Sequence, residues 1–212
     1  MTKTYQITFN PKRVSSKPKK NSLEMSNHLN GINVPTGITI NEFANMVSGP
    51  NSHTWFGGTY NISITNQNWT STQVIGLDFD SGNYTVEETI DKLKLNGIHP
   101  QLWYSSFSST TSNPKFRVVL FIDQPITNPE HRELIYKGLL QLVPHADVSC
   151  KNAARIFFGG KEAVILHNEP ISIQSLIDSA AIAVITGDKG RSRHIPEELI
   201  STYNGENSEF LF

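Results

Sequence analysis

The stretch VIGLDFDSG, from Val74 to Gly82, decides how the rest of the chain is read. Its valine, isoleucine, leucine and phenylalanine predict a buried strand. Yet Asp78 and Asp80 stand one residue apart near its end. Side chains alternate across a strand, so both carboxylates point to one face, with alpha carbons about 6.5–7 Å apart. Val74 and Gly76 precede them on that face, and Ile75, Leu77 and Phe79 point the other way, toward a core. Gly76, lacking a side chain, predicts an open floor beside Asp78. Two like charges on one face repel, and burying both unpaired costs several kcal/mol. A divalent cation removes that penalty, and hard oxygen ligands suit Mg²⁺ or Mn²⁺. The plainer alternative is that Asp80-Ser81-Gly82 is only a strand-ending turn.

Downstream, SGNYTVEETIDKLKLNG reads as a helix, with Thr85 and Glu88 as a capping box and Gly97 at its stop. A strand follows in QLWYSSF (Gln101 to Phe107), then a Ser- and Thr-rich loop, then the Val-rich strand KFRVVLFID (Lys115 to Asp123). In NPEHRELIYKGLLQLV, Asn128 caps and Pro129 opens a helix running to about Val143. ARIFFGG and AVILH read as short strands around a Gly-Gly turn, and ISIQSLIDSA as a short helix. Beyond Ala183 the pattern weakens, with IPEELISTYN as a last exposed helix.

Upstream, YQITF predicts a short strand, a polar loop runs to about Gly37, and ITINEFANMV predicts a helix with Thr39 as cap. HTWFGGTYN sets aromatic residues beside paired glycines, for a turn or a close backbone approach. From Val74 the order β-α-β-β-α-β-β-α predicts an α+β fold with an antiparallel or mixed, ferredoxin-like sheet of the RNA-recognition type. We therefore expect residues 1–73 to form a smaller N-terminal α/β lobe, 74–182 the RNA-recognition-motif-like lobe, and 183–212 a tail or linker.

Composition bounds the answer. The 212 residues are 37 % hydrophobic and 17 % charged, with net charge −1. No apolar run approaches the roughly 18 residues of a membrane span, and the N-terminus lacks the apolar core of a signal peptide. Cys150 is the single cysteine, which excludes an internal disulfide and argues against structural zinc. An intracellular, cytoplasmic setting fits. The net charge does not announce a nucleic-acid binder, but Lys3, Lys12, Arg13, Lys17, Lys19 and Lys20 precede the first acid, Glu24. That segment is either a basic arm for a phosphate backbone or a solvated, partly disordered leader. No phosphate-binding G-x-x-x-x-G-K-[ST] loop is present, and no internal repeat.

A third carboxylate strengthens the metal reading, and Asp147 in PHADVSCKNAARIFFGG is the candidate, against a loop aspartate that only caps a turn. Lys115 and Arg117 share a strand face, and Arg155 follows Asp147 by eight residues. Cations beside a carboxylate cluster either neutralise it or hold a triphosphate. The loop from Ser105 to Ser112 offers hydroxyls and N–H groups to phosphate. His99, His145 and Cys150 read as structural.

Taken together, LDFDSG, YSSFSSTTSNPKFRVVLFID and HADVSCKNAARIFFGGK, separated by helices, resemble the catalytic core of the archaeo-eukaryotic primase superfamily, most of all phage- and plasmid-borne primase-polymerases. The resemblance covers about Val74 to Ala180. It implies a two-metal nucleotidyl transfer with Mg²⁺ or Mn²⁺, in which Asp78, Asp80 and Asp147 are catalytic and hold the metals. It implies nucleotide contacts from Ser108, Ser109, Lys115, Arg117 and Arg155, and an active site in the cleft between two lobes. DNA template and primer and (d)NTPs are the implied partners, with a helicase in cis or trans, in the prokaryotic host of a phage or plasmid. One departure stands out. Ser109 occupies the place where relatives carry a histidine that binds nucleotide phosphates. Neither a cysteine-rich zinc module nor a helicase domain accompanies the core, which suits a free-standing domain or a fragment. Three functions stay open: a template-dependent primase-polymerase, a DNA-binding module with catalysis lost, and a metal nuclease.

Overall fold

The decisive stretch lies in an eleven-residue strand, Trp69–Phe79, of a computed structural model that describes residues 3–17, 34–81 and 83–188. In chain order the strands are β1 (Tyr5–Val14), β2 (Val34–Ile38), β3 (Ser52–Phe56), β4 (Gly58–Tyr60), β5 (Trp69–Phe79), β6 (Leu102–Ser106), β7 (Phe116–Ile126), β8 (Ile156–Phe157) and β9 (Gly160–Ile165). The helices are α1 (Ile40–Val47), α2 (Val86–Leu95), α3 (Pro129–Leu142) and α4 (Ile173–Asp188).

The fold is α+β, with two sheets. One has the order β2-β1-β3-β8 and the other β4-β5-β7-β6-β9, and all their ladders are antiparallel. The order β5-β7-β6, with α2 joining β5 to β6, is the split β-α-β core expected from the sequence. The sheets exchange strands: β4, before Val74, pairs with β5, while β8, well after it, pairs with β3.

Local chemistry sets the helices. Thr39 caps α1 and Thr85 caps α2, each in a reciprocal box with a glutamate, Glu42 and Glu88. Asn128 caps α3, whose first residue is Pro129. Gly97, with φ of +75°, ends α2 where a side chain would strain the backbone. α3 and α4 pack closely because Gly138 leaves room for Ala180, whose Cα a Cβ there would approach to 2.4 Å.

Several expectations need correction. Residues 5–14 form a strand between β2 and β3, not a leader or arm, because Tyr5, Ile7, Phe9 and Val14 are buried. Lys19 and Lys20 lie outside the described residues. Val34–Ile38 is an edge strand despite the Pro35 and Gly37 that read as loop, since an edge tolerates both. The Gly159-Gly160 pair is not a hairpin turn, because β8 and β9 enter different sheets. α4 continues past Ala183 to Asp188, with Ala180 and Ala183 buried. The helix expected over 195–204 lies outside the described residues.

The core runs between and beneath the sheets. β5 lies inside its sheet, between β4 and β7, and is buried on both faces from Thr72 on, so its apolar run is continuous rather than alternating. Gly76 does not open a floor: a Cβ there would lie 2.8 Å from Trp55 and 2.9 Å from Phe157. Those two rings stack at 4.4 Å over the glycine and lock the two sheets together.

Candidate active site

Asp78 is buried at 2 % exposure, near the end of β5, directly across the ladder from Arg117 on β7. Arg117 Nε lies 3.0 Å from Asp78 Oδ1, an ion contact without hydrogen-bond alignment, and its Nη1 donates to the Phe158 carbonyl at 2.9 Å. Its guanidinium also lies over the Tyr104 ring. The Tyr104 hydroxyl donates to the same Phe158 carbonyl and accepts from Trp55 Nε1. Burial pushes the Tyr104 phenol up to about 12. Burial pulls the Arg117 guanidinium down, but Asp78, Tyr104 and Asp80 push it up by more, so it stays charged. Arg117 is thus fixed from three sides.

Asp147 arrives beside Asp78. Its N–H donates to the Asp78 carbonyl at 2.8 Å, and its Oδ1 caps a 3₁₀ turn, Val148–Lys151, by accepting from Ser149 N–H. Burial raises the Asp147 carboxyl, while the hydrogen bonds from Ser149 and the Arg155 charge lower it by more, so its pKa is depressed. Cys150, on the same turn, accepts the Asp78 N–H at 3.3 Å, and burial pushes its thiol up to about 12.

Arg155 joins the two acids. Its Nη2 is 3.0 Å from Asp78 Oδ2 and 2.8 Å from Asp147 Oδ2. Of the two roles open to the cations, Arg117 and Arg155 here neutralise carboxylates. The loop that carries Arg155 is pinned elsewhere: Tyr60 donates to the Ala153 carbonyl, Asn66 accepts from Ala154 N–H, and Arg132 donates to the Lys151 carbonyl. Only the tertiary fold reveals these supports, since Tyr60 and Asn66 lie 93 and 88 positions upstream of the groups they hold.

Asp80 lies just beyond β5 and is exposed. It lines a shallow hollow with Lys17, Ser106, Phe107, Ser108, Arg117, Phe158 and Gly159. Ser108 is exposed there, its hydroxyl 3.3 Å from that of Ser106. Ser109 is turned to its own loop: its hydroxyl accepts the Lys115 N–H at 3.0 Å, and its carbonyl accepts from Lys161 Nζ. Sequence reading singled out neither Lys161 nor the Tyr104–Trp55 pair; the only signal for Lys161 is its place directly after Gly159-Gly160.

The metal that the resemblance implies can be tested on the donor set. Among the described residues no group of three His, Cys, Asp or Glu side chains is arranged for a metal. Two carboxylate oxygens nevertheless converge on one cationic nitrogen, that of Arg155. Asp78 Oδ1, buried, has no aligned hydrogen bond. Magnesium is commonly held by one or two carboxylates, with substrate phosphates completing its shell. The carboxylates of Asp78 and Asp147 are donors of the kind that suits such an ion.

No family model matches the chain, and no curated protein does. Two solved structures are similar in fold. One is the AEP domain of the cyanophage S-2L primase-polymerase, 14 % identical over 83 % of this chain and 89 % of that one, with a TM-score of 0.47. The other is the primase RepB′, 8 % identical over 96 % of this chain and 65 % of that one, with a TM-score of 0.45. Among the described residues no helix is long and apolar enough to cross a membrane.

Proposed function

We propose that the chain is a primase-polymerase domain that transfers a nucleotide from a (d)NTP to the 3′-hydroxyl of a primer on a DNA template, in the replication of a phage or plasmid. The observation that supports it most is the meeting of Asp78 and Asp147, 69 positions apart in sequence, on one cationic nitrogen. Beside them a hollow carries Asp80, Lys17 and Ser108. When bound, Mg²⁺ or Mn²⁺ supplies activation of the 3′-hydroxyl and charge stabilisation at the triphosphate. Asp78 and Asp147 would hold the ion together with Asp80, which lines the adjoining hollow. Arg117 keeps Asp78 oriented through its contact with Oδ1 and the Phe158 carbonyl. Lys17, Ser108, Lys115 and Arg155 receive the phosphates, and Ser109 holds the loop in place through Lys115. Residues 1–73 and 74–182 build most of the two lobes of this domain, with β4 and β8 exchanged between them and α4 running on to Asp188, and a helicase acts with it in cis or trans.

A second reading has its own observation. Both carboxylates are already neutralised by arginine, and the Ser109 hydroxyl is engaged with backbone. That arrangement suits a replication-associated DNA-binding module with catalysis lost.

Primer extension on a labelled template–primer separates them, with Mg²⁺ or Mn²⁺ and with dNTPs against NTPs. Asp80→Asn and Asp147→Asn are the informative variants, because both side chains reach solvent and asparagine still caps the Val148–Lys151 turn. The expected result is extension by the wild type, reduced in each variant by more than the roughly 10–100-fold that loss of a mere supporting group costs. Intact DNA binding without extension turns the reading to the binding module. Shortening of the primer turns it to a nuclease.

A further inference from the structure

Two arginines face Asp78, and they are held differently. Arg117 has 4 % of its side chain exposed and engages Asp78 and the Phe158 carbonyl through separate nitrogens. Arg155 has 25 % exposed, and a single nitrogen, Nη2, makes both of its carboxylate contacts. Its Nε is buried without a hydrogen-bond partner. Asp147, its second acid, is 33 % exposed. The backbone under Arg155 is anchored, with Arg155 N–H donating to the Asn152 carbonyl and Ala154 N–H to Asn66. Movement at this point is therefore a side-chain swing, and Arg155 is the cation that can leave.

We propose that Arg155 is an internal counter-ion that occupies the metal position between Asp78 and Asp147, and leaves it when a phosphate offers a better partner, so that metal and nucleotide bind cooperatively. The inference rests on the nucleotidyl-transfer reading above. Its logic is electrostatic. A lone divalent ion must displace a guanidinium that already neutralises both acids. A lone triphosphate must draw Arg155 away and leave Asp147 without its cation beside an Asp78 held by Arg117 alone, two adjacent acids with one counter-charge. Together, each ligand removes the other's penalty. Arginine suits the part because its planar fork pairs phosphate as readily as carboxylate. Coupling of this kind is reciprocal, so either ligand must raise the affinity of the other by one factor.

The test is Mn²⁺ binding, followed by electron paramagnetic resonance and by calorimetry, to the whole chain. Wild type, Arg155→Gln, Arg155→Lys and Asp147→Asn are compared, each with and without a saturating dNTP whose α,β-bridge is a non-cleavable methylene. Any metal–phosphate contact would be common to the wild type and the two Arg155 variants, so differences among these three isolate Arg155. We expect Arg155→Gln to bind Mn²⁺ alone on the order of tenfold more tightly than wild type, and to lose most of the gain that nucleotide brings, within the 5–150-fold span of such couplings. Arg155→Lys, which keeps the charge, falls between, and a native melting transition in either variant shows that the protein is folded. Equal Mn²⁺ affinity in wild type and both Arg155 variants, with binding lost in Asp147→Asn, overturns the counter-ion and leaves the metal reading standing. Mn²⁺ binding that ignores Asp147→Asn, or is absent from every protein, overturns the metal reading itself and the inference with it.

Discussion

Asp78 holds the site and the fold at once, and the two roles separate by substitution. Its carboxylate is nearly sealed from water against Arg117, so Asp78→Ala leaves a guanidinium buried without its acid. Removing one member of such a pair costs about 3–5 kcal/mol. We expect urea denaturation of Asp78→Ala to show a loss of that size, and loss of activity in this variant then reports unfolding as much as chemistry. Asp147 behaves otherwise. Its carboxyl titrates below the ordinary aspartate value because Ser149 and Arg155 favour its charged form. A depressed folded-state pKa contributes stability above the unfolded-state pKa, and that contribution is lost as pH falls through the folded one. Thermal melting should therefore show the wild type losing stability from about pH 4 downward, with a shallower fall in Asp147→Asn. Sequence alone made Asp78, Asp80 and Asp147 candidates, through spacing and resemblance. It did not reveal that two arginines sit on the first and third, because guanidinium reach depends on where β7 and the loop before β8 finally lie.

At the level of elements, the most local signals were the most legible. The capping box of Thr85 and Glu88 and the Asn128-Pro129 start are written within a few residues, so no tertiary contact is needed to read them. Strand partners were not legible in the same way. Pro35 and Gly37 hid β2, and nothing near Gly159-Gly160 tells that β8 and β9 part company. Gly76 was misread for a related reason: the missing side chain is visible in sequence, but the rings that fill its place come from Trp55 and Phe157. Gly76→Ala should push these stacked rings apart and cost about 1–3 kcal/mol, as overpacking of a tight core does. Measured by chemical denaturation, a neutral result at this position would mean that the stack yields more easily than its 4.4 Å spacing suggests.

For the whole molecule, the exchange of β4 and β8 between the sheets decides how it unfolds. Each sheet has an edge strand supplied by the half of the chain that builds the other. Neither can be lost while its partner stays intact, and the Trp55–Phe157 stack against Gly76 ties them further. Denaturation should therefore give one transition, with tryptophan fluorescence and far-ultraviolet circular dichroism superimposing. Two resolved transitions would show that the sheets are separate folding units despite the crossed strands.

Cys150 turns this arrangement into a clock. It is the chain's single cysteine, its thiol is fully buried and held protonated, and its sulfur touches the backbone N–H of Asp78. A thiol reagent at neutral pH must wait until the turn carrying Asp147 lifts away from β5. The rate at which native protein is labelled, divided by that of the unfolded chain, therefore gives the fraction of time that this corner spends open. Any ligand that braces the Asp147 turn will slow the clock, and does so whether or not a bond is ever made.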